Sequence, residues 1–505
     1  MKRTIAAMAA AVMTAAMTGS VFVSAEDYEK PGPRYAEPEP VCGDLNDDGS
    51  VDTFDLVLMR GKIGSDSSIA DLDGDGVVDE YDLKILSDFL LSAGDTDSYS
   101  PVGSVQYTPR NAKIAADNEV TEDIVKPQMK FSVDLLKKTF SSKKEKNLLV
   151  SPLSVNVALG MTANGAAGDT LTEYMDELGG GMDLASYNDC MADMIARLTS
   201  SEKSVVDITD SVWFRQNGGE GCFVKKPFLD SVAKYFGADA FGTPFNEQSV
   251  KDINKWVSHG THGIINKLFN DASDIERFDM LLVNTLYFKG TWDNPYMGSG
   301  QDVFTNYAGE EVLTEFLTDD ERWYIEGNGY TGFRKDYEGN DFSFVGILPA
   351  EETDIYDFVE SLDAEELHKS ITGAKDIYKS EESVQLRTRM PKLKYDNDMH
   401  IKDMLADMGL SNAMSGAADY SNMADVPLYV SDVIHKTAIE LDESGTVAAA
   451  VTAVPMEKGI PMYENTYKVY LDRPYVYMIM DNKTGLPLFI GVVTELDDTP
   501  VDTAE

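Results

Sequence analysis

Apolar residues recur along this chain in three rhythms. Leu56, Met59 and Ile63, and then Leu83, Leu86 and Leu90, follow i, i+3, i+7 spacing, which places each trio on one face of a short helix. Val133 to Phe140 and Val155 to Ala163 also read as helical, whereas "DITDSVWF" from Asp207 and "LLVNTLYF" from Leu281 are rich in β-branched and aromatic residues and predict strands. The third rhythm is "IELDESGTVAAAVTAVP", Ile439 to Pro455, in which a charged turn gives way to small, uncharged residues. In an extended chain Thr446, Ala448, Ala450, Thr452 and Val454 share one face, and Val447, Ala449, Val451 and Ala453 share the other. Such a ribbon can enter the middle of a sheet with no charge to desolvate.

These patterns divide the chain. A length of 505 residues exceeds one ordinary core. Lys2 and Arg3, the apolar run Ile5 to Met17 and the small-residue site Val23-Ser24-Ala25 predict a secretory signal peptide over residues 1–25. The run falls short of the ~20 apolar residues that a membrane span needs, so an exported, soluble protein is expected. Residues 26–41 carry Pro31, Pro33, Pro38 and Pro40 and predict an extended spacer, and residues 93–114, rich in Ser, Gly, Asp and Thr, a flexible one. From about Ala115 a long α/β stretch without repeats follows, with residues 115–497 as one large domain and residues 498–505 as a solvated acidic tail.

Between the linkers lies an internal repeat. "DLNDDGSVDTFD" from Asp44 returns as "DLDGDGVVDEYD" from Asp71, an offset of 27 residues, and the helical trios repeat at the same offset. Asp44, Asn46 and Asp48, and again Asp71, Asp73 and Asp75, put oxygen ligands at loop positions 1, 3 and 5. Gly49 and Gly76 permit the sharp turn, and Asp52 with Asp55, and Asp79 with Asp82, complete each set. This is the chemistry of two calcium ions. Residues 42–92 thereby resemble a dockerin, a small all-α calcium-binding module that attaches bacterial proteins to a cellulosome-type scaffold through a cohesin. The resemblance implies that calcium folds the module and that Thr53-Phe54 and Glu80-Tyr81 contact the cohesin. The two pairs differ, which argues against a symmetric, two-way docking mode.

Lys and Arg number 43 against 87 Asp and Glu, a formal charge of −44. Nucleic acid and anionic membranes would repel such a chain. Three cysteines, Cys42, Cys190 and Cys222, are too few to organise the fold; a Cys190–Cys222 bridge is compatible with the sequence and not implied by it. Among five histidines only His259 and His262 are spaced to share a metal, no further ligand stands beside them, and no G-x-S-x-G elbow is present. The residues therefore point away from an enzyme.

Beyond residue 115 the order of motifs resembles the serpins. "NLLVSPLSVNVALGMTANGAAGDT" from Asn147, "INKWVSHGTHGII" from Ile253, "VNTLYFKGTW" from Val283, "MPKLKY" from Met390, "LADMGLSNAMSGAADYSNM" from Leu405 and "HKTAIELDESGTVAAAVTAV" from His435 follow that family's sequence of landmarks. "VYLDRPYVYMI" matches its C-terminal signature, with Tyr475 where Phe is usual. The resemblance implies an α+β serpin fold: a large central, mostly antiparallel sheet, further sheets, about eight to nine helices and an exposed reactive-centre loop. It further implies a single-use protease trap, monomeric in this domain. The loop is offered as substrate, a serine or cysteine protease forms an acyl-enzyme, and the cut loop inserts into the central sheet.

Residue by residue, the resemblance assigns the loop hinge to Glu443, Gly445, Thr446, Ala448, Ala449, Ala450 and Thr452. It assigns a sheet-opening polar cluster to Ser151, Ser154, Asn284 and His435, and the aromatic at the point of entry to Trp292. Counting about sixteen residues past Glu443 puts the bait bond at Lys458-Gly459 or Gly459-Ile460, while counting back about eleven from Pro474 puts it at Met462-Tyr463 or Tyr463-Glu464. Lys458 would suit trypsin-like proteases and Tyr463 subtilisin- or chymotrypsin-like ones. Pro455 is poorly suited to the middle of an inserted strand and argues for a stoichiometry of inhibition above one. Two other readings compete. A non-inhibitory docked serpin, a carrier or structural component, would ordinarily carry charged or bulky hinge residues; a docked hydrolase has no catalytic motif behind it.

Overall fold

The computed structural model describes residues 58–59, 62–63, 70, 78, 122–142, 146–217, 220–221, 224–278, 280–380, 384–446 and 465–497. The chain forms two compact units, Met1–Ser100 and Pro101–Glu505. In the first, Met59 is helical and buried while Leu58 beside it is exposed, as the predicted trio requires. Ala70 and Val78 are also buried. The calcium and cohesin positions Asp44 to Asp55, Thr53-Phe54, Asp71 to Asp82 and Glu80-Tyr81 lie outside the described residues.

Among the described residues, three sheets build the second unit. The one that carries the start of the predicted hinge contains β1 (Ser204–Asn217), β2 (Glu220–Gly221), β3 (Asp239–Thr243), β4 (Met280–Thr291), β5 (Leu393–His400), β6 (Ile434–Leu441) and β7 (Gly445–Thr446). Its order is β5-β6-β7-β4-β1-β2, with β3 added to β1. Every pairing is antiparallel except β1 with β3. Both strands predicted from side-chain type fall within it, "DITDSVWF" in β1 and "LLVNTLYF" in β4, paired from Ser204↔Gly290 to Phe214↔Met280. A second seven-stranded sheet holds the deepest core. Its strands Phe342–Pro349, Tyr475–Asp481 and Pro487–Val493 are buried at every position, and their near-continuous apolar sequence reflects cover on both faces. The third sheet has four strands in the order Asn465–Tyr470, Val384–Pro391, Glu311–Asp320 and Ser299–Thr305.

Of the helices, three position the site. α1 (Glu122–Ser142) contains the predicted Val133–Phe140 segment. α2 (Pro152–Ala163) is apolar on nearly every side because it is buried on nearly every side. Pro152 starts it at a position that needs no N–H, and the Ser151 hydroxyl caps it by accepting from Ser154 N–H at 3.2 Å. α3 (Glu247–Gly260) opens on a capping box between Asn246 and Ser249. It ends against β1 and β4 at Gly260, where a Cβ would collide with the hydroxyls of Thr209 and Thr285.

Candidate functional site

The predicted hinge begins as a two-residue strand, Gly445–Thr446. β7 is flanked by β6 through Leu441↔Thr446 and by β4 through Gly445↔Thr291 and Thr446↔Gly290. Among the described residues, β4 and β6 are each laddered to β7 and not to each other, so a seam runs between them below Thr446. A small cavity opens at Thr446 between Leu286 to Phe288 of β4 and Ala438 and Ile439 of β6. Further along the seam a cavity of about 140 Å³ is walled by Asn284, Thr285, His435, Ser154, Val257 and Phe269.

Side chains and backbone from several elements fix the hinge. The Asp442 carboxylate accepts from Ser444 N–H (2.7 Å) and Gly445 N–H (3.2 Å), folding a tight turn between β6 and β7. Gly445 has φ of 155°, and a Cβ there would overlap the carbonyl oxygen of Gly290, so the close approach of β7 to β4 demands glycine. Trp292 donates its indole N–H to Asp442 O at 3.0 Å and its backbone N–H to Ser444 O at 2.9 Å, and Tyr296 N–H donates to Glu443 O at 2.9 Å. Three successive hinge carbonyls are thus held by one aromatic segment. The Trp292 ring stacks on Tyr337 at 4.4 Å between centroids, and the Tyr337 hydroxyl meets that of Thr446 at 2.6 Å. On the outer side Lys392 bridges Glu443 (2.7 Å) and Glu315 (2.6 Å). Partial burial works to raise the Glu443 carboxyl, but hydrogen bonds from Lys392, the Glu443 backbone and Ser299, together with the Lys392 charge, hold the group below its ordinary value.

The predicted polar cluster assembles further along the seam. His435 of β6 accepts through Nε2 from Ser151 N–H at 2.9 Å, which fixes a neutral ring carrying its proton on Nδ1. Burial holds this imidazole down to about 4. Ser151 donates its hydroxyl to Leu488 O at 2.7 Å, and the Ser154 hydroxyl donates to the Asn284 side-chain oxygen. Asn284 in turn donates to Asp210 at 2.7 Å. Ser151 joins His435 while Ser154 joins Asn284, and the Ser154 N–H to Ser151 Oγ bond links the two pairs at the start of α2. Trp292, predicted with this set, stands apart from it at the other end of the seam, bonded to Asp442 and Ser444.

Several partners carry no signal in the sequence. Asp210, Asp442, Tyr296, Tyr337 and Lys392 are each polar or aromatic residues in ordinary strand or turn contexts. Only the Asp-x-Ser-Gly turn around Asp442 is a recognisable local pattern. His262 packs at a tilt against Tyr287 and meets Asp207 at 2.6 Å, both exposed, and no cluster of three metal-binding side chains occurs among the described residues. Hinge positions Ala448, Ala449, Ala450 and Thr452, the bait candidates Lys458, Gly459, Ile460, Met462 and Tyr463, and Pro455, Cys42 and Cys222 lie outside the described residues.

Comparison with known proteins agrees with this geometry. The model of the family described as serpin (serine protease inhibitor) matches residues 126–496, and that of the dockerin type I domain matches residues 42–91. Iripin-8 of Ixodes ricinus is 28% identical over 396 residues, covering 75% of this chain and 96% of that protein. Serpin B10 of Sorex araneus is 30% identical over 395 residues, covering 72% and 96%. Among solved structures, the thermophilic serpin tengpin in its native state superposes with a TM-score of 0.68 at 34% identity, covering 75% of this chain and 96% of that one. The same protein in its latent state gives 0.65 at 31% identity, covering 75% and 100%.

Proposed function

Because this chain belongs to the serpin family and carries an N-terminal dockerin type I domain, we propose that it is a scaffold-docked protease trap that works by inserting its cut loop along the seam between β6 and β4. The observation that carries this reading is β7 itself: Gly445 and Thr446 stand at the head of the seam, aligned with both neighbours, and the small residues from Val447 onward follow them in sequence.

In this account a serine or cysteine protease attacks a bond between Lys458 and Glu464, and its nucleophile becomes acylated by the new carboxyl end. Insertion must then outrun hydrolysis of that ester or thioester. The chain favours insertion in three ways. Asp442, Trp292 and Tyr296 hold the turn that leads into Gly445 and Thr446, which pair with both neighbouring strands. Thr446 to Val454 present no charge to desolvate. The Ser151–His435 and Ser154–Asn284 bonds tie α2 to β6 and β4 and control how readily the two strands part.

The dockerin supplies location. Its two oxygen-donor sets, Asp44, Asn46, Asp48, Asp52 and Asp55, and Asp71, Asp73, Asp75, Asp79 and Asp82, fit a hard cation, and calcium bound there would organise the helices that face a cohesin. Removal of residues 1–25 would deliver the protein outside the cell. No helix among the described residues is long and apolar enough to cross a membrane.

The test is direct. Trypsin-, chymotrypsin-, subtilisin- and papain-like proteases are mixed with the purified protein, and a complex that survives SDS is sought while the released C-terminal peptide is weighed. A covalent complex with at least one protease, and a peptide mass that starts between Gly459 and Glu464, is the expected result. Cleavage by every member with no complex would favour the non-inhibitory reading.

A further inference from the structure

An ion pair lies buried directly beside the segment that holds the hinge. Lys335, on the strand Tyr330–Asp336, is 2% exposed and Glu321 is 8% exposed, and their charged atoms are 2.6 Å apart. Asp319, more exposed, stands 3.7 Å from the same ammonium. The ammonium also lies 4.1 Å from the centre of the Tyr296 ring and 5.8 Å from that of Trp292. These are the two residues whose N–H groups hold Asp442, Glu443 and Ser444. Two residues along the same strand direction, Tyr337 stacks on Trp292 and meets Thr446.

A buried pair of this kind is a poor source of stability. Taking each ion out of water costs several kcal/mol, and well-packed apolar side chains often do as well or better. The cost is visible here, since burial pushes the Glu321 carboxyl up to about 7. What the pair provides is direction. A cation held over an aromatic face fixes the ring beneath it, and Glu321 fixes the cation.

We infer that Lys335, oriented by Glu321, is a positioning residue for the hinge: it holds the Trp292–Tyr296 segment in the place from which the loop is fed into the seam. The inference rests on the trapping function for its consequence, and on the intact protein for its geometry. Loss of the pair loosens the three hinge carbonyls, so the cut loop inserts more slowly and more of the acylated protease escapes by hydrolysis.

The full-length protein is tested in three forms: wild type, the Lys335→Met/Glu321→Leu double variant and Lys335→Arg. Amide exchange at Trp292 and Tyr296 reads the geometry with no protease present. The double variant is expected to exchange there about tenfold faster than wild type, with Tyr475–Asp481 unchanged and Lys335→Arg near wild type. Wild-type exchange in the double variant would overturn the inference. Against a protease that wild type traps, the stoichiometry of inhibition should rise about threefold while the melting temperature holds or rises, because apolar replacement of a buried pair is seldom destabilising. A lower melting temperature with unchanged stoichiometry would show a merely structural role and also overturn it. If wild type traps no protease, the proposed function fails, and the exchange measurement alone decides the inference.

Discussion

The hydroxyls of Thr446 and Tyr337 meet at 2.6 Å, with Thr446 2% exposed and Tyr337 fully buried. The first outward-running residue of the loop is therefore already a core residue. Thr446→Arg would have to bury an unpaired guanidinium against a ring, at a cost of several kcal/mol. The variant should be cut at a normal rate and trap poorly, with the stoichiometry of inhibition rising more than about tenfold. Unchanged trapping, measured by SDS-resistant complex at equal protease, would sink the hinge assignment.

Gly445 faces the Gly290 carbonyl with no room for a methyl group. Gly445→Ala is expected to push β7 away from β4, destabilising this end of the sheet by about 2 kcal/mol, and to lower trapping without changing the cleavage site. Thermal unfolding and the mass of the released peptide check both parts.

His435 predicts a pH dependence of defined sign. Its folded pKa, about 4, lies below the ordinary 6.5, because burial opposes the charge and Nε2 is occupied by the Ser151 N–H. The unfolded chain therefore binds a proton between these values that the folded chain does not. The contribution of His435 is full above pH 6.5 and is lost progressively toward pH 4, by roughly 3 kcal/mol in total. His435→Gln should lower stability at pH 7.5 and flatten the decline between pH 6.5 and 4, as read by denaturant unfolding. An equally steep decline in the variant would show that another group is responsible.

Calcium should matter to one unit alone. Chelation is expected to unfold residues 42–92 and abolish cohesin binding, while protease trapping stays at its calcium-loaded level. Circular dichroism, cohesin pull-down and complex formation on the same chelated sample make the check. Loss of trapping along with docking would contradict two independent modules.

Much of this was legible in the chain. Side-chain type located β1 and β4, and the helical period located α1 and α2. The shift from charged to small residues after Ser444 pointed to the proposed hinge, and the order of motifs brought Ser151, Ser154, Asn284, His435 and Trp292 into view. What escaped was pairing across distance. Asp210 and Asn284 are 74 residues apart, Thr446 and Tyr337 are 109 apart, and Trp292 and Asp442 are 150 apart. No local spacing encodes contacts that only strand order creates. Lys392 sat within the quoted "MPKLKY", yet its bridge to Glu443 appears only when β5 is laid beside β6. Nothing in the local sequence singles out Lys335 and Glu321, which the fold buries together.

In the proposed trap a cut loop becomes a strand between β6 and β4. The most direct measurement of this step is the melting temperature of the protein before and after a single cleavage between Lys458 and Glu464. Insertion adds a full strand to the seam, so the cleaved protein should melt more than about 20 °C above the intact one. A cleaved protein that melts at the same temperature as the intact one, or below it, would contradict the account.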